Sequence, residues 1–130
     1  MKIKLYSKSN QRVRSIINWK KTYHPIVDPE VVFKLRNKGE LIGSCYIVKD
    51  FIYSLVVNPK YRKNGYGRKL LSAAEKTIKK NGFKKAKLIP QDNEPKLRKY
   101  YSSCGYFGFN GNEIGYEEED KTWWVMEKEL

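Results

Sequence analysis

The chain contains 130 residues, enough for one domain with a single hydrophobic core, and we expect one domain over residues 1–130. Its formal net charge is +13, from 27 Lys and Arg against 14 Asp and Glu, which favours an anionic ligand. No apolar run approaches the roughly 20 residues that a membrane-spanning helix needs, so we expect a soluble, cytoplasmic protein without a membrane partner.

The composition also disfavours two kinds of binding site. The basic residues are spread along the whole chain, so we expect no nucleic-acid partner, and a nucleic-acid-binding module is kept as a minority alternative. Cys45 and Cys104 lack metal-ligand spacing and His24 is the single histidine, so we expect neither a metal site nor a disulfide scaffold. The oligomeric state stays open between monomer and homodimer.

Apolar alternation, turn residues and helix caps predict the secondary structure. In chain order we predict a strand at 2–6, a helix at about 11–22, strands at 31–35, 41–48 and 51–57, a helix at about 66–80, a strand at 84–90, a helix at about 94–103, and a hairpin of about 106–117 and 122–129.

The order of these elements predicts the fold. Residues 31–57 should form an antiparallel meander of three strands. The helix at 66–80 then crosses over to a strand parallel to 51–57, because such connections are right-handed. We therefore predict an α/β (α+β) fold. Its mixed, mostly antiparallel central sheet should have six to seven strands, flanking helices and a central parallel strand-helix-strand unit.

Residues 51–71, FIYSLVVNPKYRKNGYGRKLL, organise the rest of the chain. The strand ends at Pro59, because proline supplies no N–H to a strand ladder. Gly65 and Gly67 then open a helix whose first turn has unpaired N–H groups and the positive end of the helix dipole. Glycine allows a phosphate to approach that backbone. Positive charge around the same point comes from Arg62, Lys63, Arg68 and Lys69. The stretch predicts a diphosphate-binding loop.

This loop differs from two common nucleotide-binding motifs. A P-loop would end in Gly-Lys-Ser/Thr, whereas Gly67 is followed by Arg68-Lys69. A Rossmann turn would need a third glycine where Leu70 stands, and a shorter loop after the strand.

The remaining pattern closely resembles the acetyl-coenzyme A signature of the GNAT superfamily of N-acetyltransferases. It reads Val57-x-Pro59-x-Tyr61-Arg62-x-x-Gly65-x-Gly67, followed by Leu70-Leu71. A second motif, Tyr101-Ser-Ser-Cys-Gly105-Tyr106, is similar to the family's Tyr-x-x-x-Gly-Phe with Tyr in place of Phe. The resemblance is specific over about 41–106 and topological elsewhere, and it implies the family fold.

The resemblance implies acetyl-CoA as the co-substrate. The backbone of Val57 would polarise the acetyl carbonyl, and Leu55 and Val56 would pair with the pantetheine arm. Tyr101 would be the general acid that protonates the departing thiolate, with Tyr100 as the alternative. The full set of expected coenzyme contacts is Leu55, Val56, Val57, Arg62, Lys63, Asn64, Gly65, Tyr66, Gly67, Arg68, Asn93 and Tyr101.

The sequence departs from the family at the general base. Counting back from Arg62, the family's glutamate position is occupied by Phe51, which cannot accept a proton. Tyr53 lies two residues further along the strand and should face the same way, so it could anchor a water relay. Asp92 is a second candidate.

The acceptor is the least defined part of the prediction. Glu117, Glu118 and Glu119 belong to the one dense acidic run and could attract a cationic acceptor. We predict an N-acetyltransferase that moves the acetyl group of acetyl-CoA directly to a primary amine. A small cationic amine such as a polyamine is favoured over a protein lysine or N-terminus, and a longer acyl donor is not excluded. The other alternative is a non-catalytic module that binds coenzyme A or nucleic acid on the same fold.

Overall fold

A seven-stranded sheet with helices packed against it forms the described part of the protein. The computed structural model describes residues 3–9, 31–91, 94–110 and 124–130. The elements are β1 (Ile3–Ser9), β2 (Val31–Asn37), β3 (Glu40–Val48), β4 (Phe51–Val57), α1 (Tyr66–Lys80), β5 (Lys85–Leu88), α2 (Pro95–Ser103), β6 (Phe107–Asn110) and β7 (Trp124–Glu129). A short 3₁₀ turn, Pro59–Tyr61, follows β4.

The strand order across the sheet is β1-β2-β3-β4-β5-β7-β6. Among the described strands, β4 and β5 are the one parallel pair, and every other neighbouring pair is antiparallel. The predicted α/β fold is confirmed, including the mixed, mostly antiparallel sheet and its central parallel strand-helix-strand unit.

Several predicted bounds need correction. The strand predicted at 84–90 is shorter, Lys85–Leu88, because Pro90 has no N–H to continue the ladder. The strand predicted at 2–6 instead runs over Ile3–Ser9 and pairs with β2 along its whole length. Glu94 is the N-cap of α2 rather than a helical residue. The helix predicted at 11–22 lies outside the described residues.

The main hydrophobic core lies between the sheet and the apolar side of α1. Leu70, Ala74 and Ile78 are fully buried, and their spacing of three and four residues places them on one helix face. Cys45 of β3 donates a weak S–H hydrogen bond to the Leu70 carbonyl at 3.9 Å, so this side of β3 faces α1. Tyr101 of α2 belongs to the same cluster, and α1 and α2 therefore cover the same face of the sheet.

The opposite side of the sheet, here called the second face, is defined by Val32, Tyr46, Val48 and Tyr53. Val32 and Tyr46 are buried there, with Val48 and Tyr53 packed against them. The rings of Tyr46 and Tyr53 are stacked, with centroids 5.2 Å apart. The second face thus carries an aromatic pair directly beneath the middle of β4.

A β-bulge in β4 opens the centre of the sheet. Ser44 pairs with Val56 and Tyr46 pairs with Tyr53, so one residue of β3 faces two residues of β4. The extra residue is Ser54, whose φ of +51° lies in the left-handed region. Beyond the bulge β4 no longer pairs with β5, because their ladder is confined to Phe51–Lys87 and Ile52–Leu88. The two strands are therefore not paired beyond Ile52.

Candidate active site

A cavity of about 650 Å³ fills the opening between β4 and β5 and continues to the N-terminus of α1. Its wall is formed by the bulged half of β4, the following loop, the first turn of α1, the chain after β5 and one side of α2. The lining residues are Ser54, Leu55, Val56, Val57, Tyr61, Arg62, Lys63, Gly65, Tyr66, Gly67, Arg68, Ile89, Gln91, Leu97, Tyr100 and Tyr101. The structure thus gathers most of the predicted coenzyme contacts around one cavity.

Side-chain hydrogen bonds hold the loop after β4 in place. Arg62 Nε donates to the Val57 carbonyl at 3.2 Å, closing the loop on the strand that precedes it. Asn64 Nδ2 donates to the Tyr61 carbonyl at 3.1 Å. Tyr61 in turn donates its hydroxyl proton to Glu40 Oε2 at 2.6 Å. Arg62 and Asn64, both predicted as coenzyme contacts, therefore also shape the loop.

The two glycines of the motif serve different purposes. Gly65 has a φ of +79°, and a Cβ there would meet nothing within 4 Å, so its requirement is conformational. At Gly67 a Cβ would lie 2.8 Å from the hydroxyl oxygen of Tyr100, so its requirement is steric. We expected both glycines to clear space for a phosphate. In the structure, the missing side chain of Gly67 instead leaves room for the Tyr100 hydroxyl.

The start of α1 is arranged to attract an anion. Its N-cap, Gly65, makes no side-chain capping bond, and no acidic residue lies in the first turn. Arg68 and Lys69 stand at the positive end of the dipole, where each cation costs the helix about 0.3–1 kcal/mol. Arg68 Nη2 donates to Ser103 Oγ at 3.0 Å and joins this end of α1 to α2. An anionic ligand bound at this helix end would offset the repulsion between these cations and the helix dipole.

Tyr101 lies towards the bulged end of the cavity. Its side chain is buried, and its ring contacts that of Tyr106 edge-to-face at 6.2 Å. Burial, with smaller effects from the neighbouring Tyr100 and Cys45, raises the pKa of Tyr101 well above that of an exposed phenol. Since Cys45 is the β3 residue opposite the bulge, its effect on Tyr101 places the phenol towards that end of the cavity, and the raised pKa keeps it protonated at neutral pH.

Tyr100 lies at the other end, beside the first turn of α1. Its hydroxyl faces Gly67, and its ring meets that of Tyr101 at 90° with centroids 5.3 Å apart. Burial raises the pKa of Tyr100 to about 12. The adjacent tyrosines therefore serve different regions of the cavity, Tyr101 near the bulge and Tyr100 near the glycine loop.

Carboxylates and imidazoles are missing from the described lining, whose ionisable groups are phenols, Arg62, Lys63 and Arg68.

Tyr53, the predicted anchor of a water relay, lies on the second face and stacks on Phe51, with ring centroids 5.6 Å apart. Burial, with a smaller effect from Asp50, raises the pKa of Tyr53. Burial raises the pKa of Tyr46 on the second face, with a smaller opposing effect from a hydrogen bond with the side chain of Ser54, a residue that lines the cavity.

Some predicted site residues lie outside the described residues: Asp92, Asn93, Glu117, Glu118 and Glu119. Their roles stay predictions. The structure adds cavity residues that the sequence did not indicate as site residues, namely Ser54, Ile89, Gln91 and Leu97. Ile89 and Gln91 follow the carboxyl end of a parallel strand, a place where ligands commonly bind, and that rule could have pointed to them. For Ser54 the sequence contains no comparable signal.

The described residues contain no group of three or more His, Cys, Asp or Glu side chains that could hold a metal ion. Neither of their α-helices is long and apolar enough to span a membrane.

Comparison with known proteins identifies the family. The Acetyltransferase (GNAT) family matches residues 4–106, which is most of the chain. The chain belongs to the GNAT acetyltransferase family. A search of curated proteins found no matching sequence.

Solved structures of this family share the fold. An IAA acetyltransferase from Bacillus cereus superposes with a TM-score of 0.71 at 16% identity, covering 99% of this chain and 100% of that one. A GNAT-family acetyltransferase from Staphylococcus aureus gives 0.66 at 17% identity, covering 77% and 68%. The PaiA N-acetyltransferase of Thermoplasma acidophilum, solved with coenzyme A, gives 0.58 at 23% identity, covering 76% and 60%. At these low sequence identities the structural similarity shows a shared GNAT fold alone.

Proposed function

We propose that this GNAT protein is an acetyl-CoA-dependent N-acetyltransferase whose acceptor is a primary amine, in particular a small cationic amine such as a polyamine. The observation that carries the proposal is the cavity that joins the separated end of β4 to the cationic first turn of α1. This cavity offers an extended ligand a strand edge that has left the ladder with β5 at one end and anion-binding amides at the other.

The residues around the cavity suit the parts of coenzyme A. The diphosphate would be held by the loop and first helical turn, over Arg62 to Arg68, where backbone amides and cations converge. The pantetheine arm would lie along Leu55, Val56 and Val57, whose edge towards β5 has left the sheet ladder. Cavity walls of mixed apolar and basic character match a ligand with an apolar arm and charged phosphates.

Acetyl transfer asks three things of the protein: a polarised carbonyl, a positioned amine and a proton for the leaving sulfur. The backbone N–H of Val57 is the proposed donor to the acetyl oxygen, where negative charge develops during attack. Tyr101 is the proposed acid. Because burial raises its pKa, Tyr101 acts by donating a hydrogen bond to the sulfur and yields its proton only as the C–S bond breaks.

The deciding experiment is an assay for free coenzyme A thiol, with acetyl-CoA as donor and a panel of polyamines, amino acids, aminoglycosides and lysine peptides as acceptors. We expect thiol release that requires an amine, with mass spectrometry detecting the acetylated product. Release with lysine peptides alone would replace the small-amine acceptor with a protein one. Tight coenzyme binding without turnover on any amine would contradict enzymatic function and favour the coenzyme-binding module.

A further inference from the structure

Ser54 is a strained residue at the point where the sheet opens. Its φ of +51° is a conformation that serine seldom adopts and that costs about 1–3 kcal/mol for a residue other than glycine. Glycine would remove this cost, and asparagine or aspartate would reduce it. The chain instead carries a hydroxyl at the bulge, which points to a use for that group.

The hydroxyl lies between the cavity and the second face. Ser54 lines the cavity and directly precedes the strand segment proposed to hold the thioester, Leu55 to Val57. Burial raises the pKa of Tyr46, which is 1% exposed on the second face, and a hydrogen bond with the Ser54 side chain opposes part of that rise. An acceptor bound beside the thioester segment would therefore lie next to Ser54.

The charges around the cavity restrict the form of the acceptor. Its described ionisable lining consists of phenols and the cations Arg62, Lys63 and Arg68. The described lining residues include no carboxylate that could take a proton from the acceptor, and the cations lower the pKa of an ammonium group close to them. Nucleophilic attack requires the neutral amine, and an oxygen that accepts one N–H would direct the nitrogen lone pair towards the thioester.

We propose that the Ser54 hydroxyl is this acceptor: a catalytic contact that receives a hydrogen bond from the attacking amine while its own proton is donated to Tyr46. This inference rests on the proposed acetyl transfer. The C–N bond forms and the C–S bond breaks. The proton lost by nitrogen passes to water, Tyr101 protonates the sulfur, and water restores the Tyr101 proton.

A matched pair of variants tests this role: Ser54→Asn and Ser54→Asp have the same size and both tolerate positive φ. The readout is kcat/KM from pH 6 to 9 by thiol release, with acetyl-CoA and spermidine, or the panel amine that the wild type acetylates fastest. In the wild type we expect kcat/KM to rise with pH as the acceptor's ammonium group ionises. Ser54→Asn keeps a neutral acceptor oxygen, its amide Oδ1, so its rising limb should stay at the wild-type pH and it serves as the uncharged control.

In Ser54→Asp a carboxylate replaces the hydroxyl and can deprotonate the ammonium form. The rising limb should therefore move to lower pH by about one unit or more relative to Ser54→Asn. Coinciding pH profiles for these two variants would overturn the proposal. Absence of turnover by the wild type with every amine would instead contradict the proposed function itself, so the two failures are distinguishable.

Ser54→Gly separates the hydroxyl from the backbone strain. It should fold with at least wild-type thermal stability, bind coenzyme A within about threefold of the wild type, and still lose about tenfold in kcat/KM. If Ser54→Gly retained the wild-type kcat/KM, the hydroxyl would have no role in catalysis. A loss of coenzyme affinity equal to the loss of kcat/KM would make Ser54 a coenzyme contact. Either result overturns the proposal.

Discussion

Gly65 and Gly39 both have positive φ and both leave open space where a Cβ would stand, yet they occupy different places. Gly65 shapes the loop before α1, whereas Gly39 lies in the turn between β2 and β3. Alanine at either position should cost about 1 kcal/mol of unfolding free energy. Gly65→Ala should also weaken coenzyme A binding about tenfold or more in calorimetry, because it distorts the loop amides. Equal coenzyme affinity in the two variants would contradict the role of the loop.

Tyr101 and Tyr100 offer a second matched comparison. Tyr101→Phe should lower kcat about a hundredfold with coenzyme affinity within about threefold, because the phenol is placed to act at the bulged end. Tyr100→Phe should change kcat by less than about threefold, because its hydroxyl faces Gly67 instead. Steady-state kinetics of both variants decide the assignment. The opposite pattern would transfer the acid role to Tyr100.

The wild-type pH profile should show no descending limb from Tyr101 below about pH 10, the ordinary phenol pKa. Burial raises the pKa of Tyr101, and a raised phenol pKa keeps the proton-donating form present throughout the neutral range. Loss of kcat between pH 7 and 9 that disappears in Tyr101→Phe would contradict this assignment.

At the scale of whole elements, α1 combines a cationic beginning with a cationic end. Lys69 stands in its first turn and opposes the dipole, while Lys79 in its last turn is favourable. In urea unfolding at low salt, Lys69→Gln should stabilise the free protein by about 0.5 kcal/mol, and Lys79→Gln should destabilise it by a similar amount. Lys69→Gln should also weaken coenzyme A binding slightly. Stabilisation of both variants would show that overall charge repulsion outweighs the dipole.

The strand-loop-helix from β4 to α1 could be predicted from the sequence because its determinants are local. Pro59 ends the strand, Gly65 opens the helix, and the apolar spacing from Leu70 to Ile78 defines the buried face. The bounds of α1 agree with those predicted. The spacing of Tyr101 and Gly105 in the family-like motif likewise predicted a site tyrosine at a position that lines the cavity.

The family resemblance implied that β4 separates from its neighbour, but the bulge itself could not be predicted, because it depends on tertiary pairing. Ser54 has no residue-type preference for positive φ, and its conformation is imposed by the register that β3 holds with both halves of β4. The different roles of Gly65 and Gly67 could not be predicted from the sequence for the same reason. Gly67 owes its steric role to Tyr100, a residue from another helix.

For the molecule as a whole, buried tyrosines link folding to pH. Burial raises the pKa values of Tyr46, Tyr100, Tyr101 and Tyr106, and the hydrogen bond that Tyr106 donates to Glu75 at 2.6 Å adds to its shift. A phenol whose folded pKa is raised contributes stability that is complete below the unfolded pKa of about 10. That stability is lost as the pH rises through the folded pKa.

Unfolding free energy should accordingly fall above about pH 10, by about 1.4 kcal/mol per pH unit for each phenol still protonated in the folded state. Urea titrations between pH 7 and 11 measure this slope. In Tyr106→Phe the unfolding free energy should fall less steeply with pH, by about 1.4 kcal/mol per pH unit, because one titrating phenol is missing. This variant should also be less stable than the wild type at pH 7. Identical slopes would contradict the assignment of the linkage to Tyr106.

The most direct test of the central claim, that coenzyme A occupies the opening between β4 and β5, is an NMR titration of the ¹⁵N-labelled protein with coenzyme A. We predict that the largest amide shifts fall on residues 54–57 and 62–68, with saturation at one coenzyme per chain. Shifts confined to other surfaces, with those amides unmoved at saturating coenzyme, would contradict it.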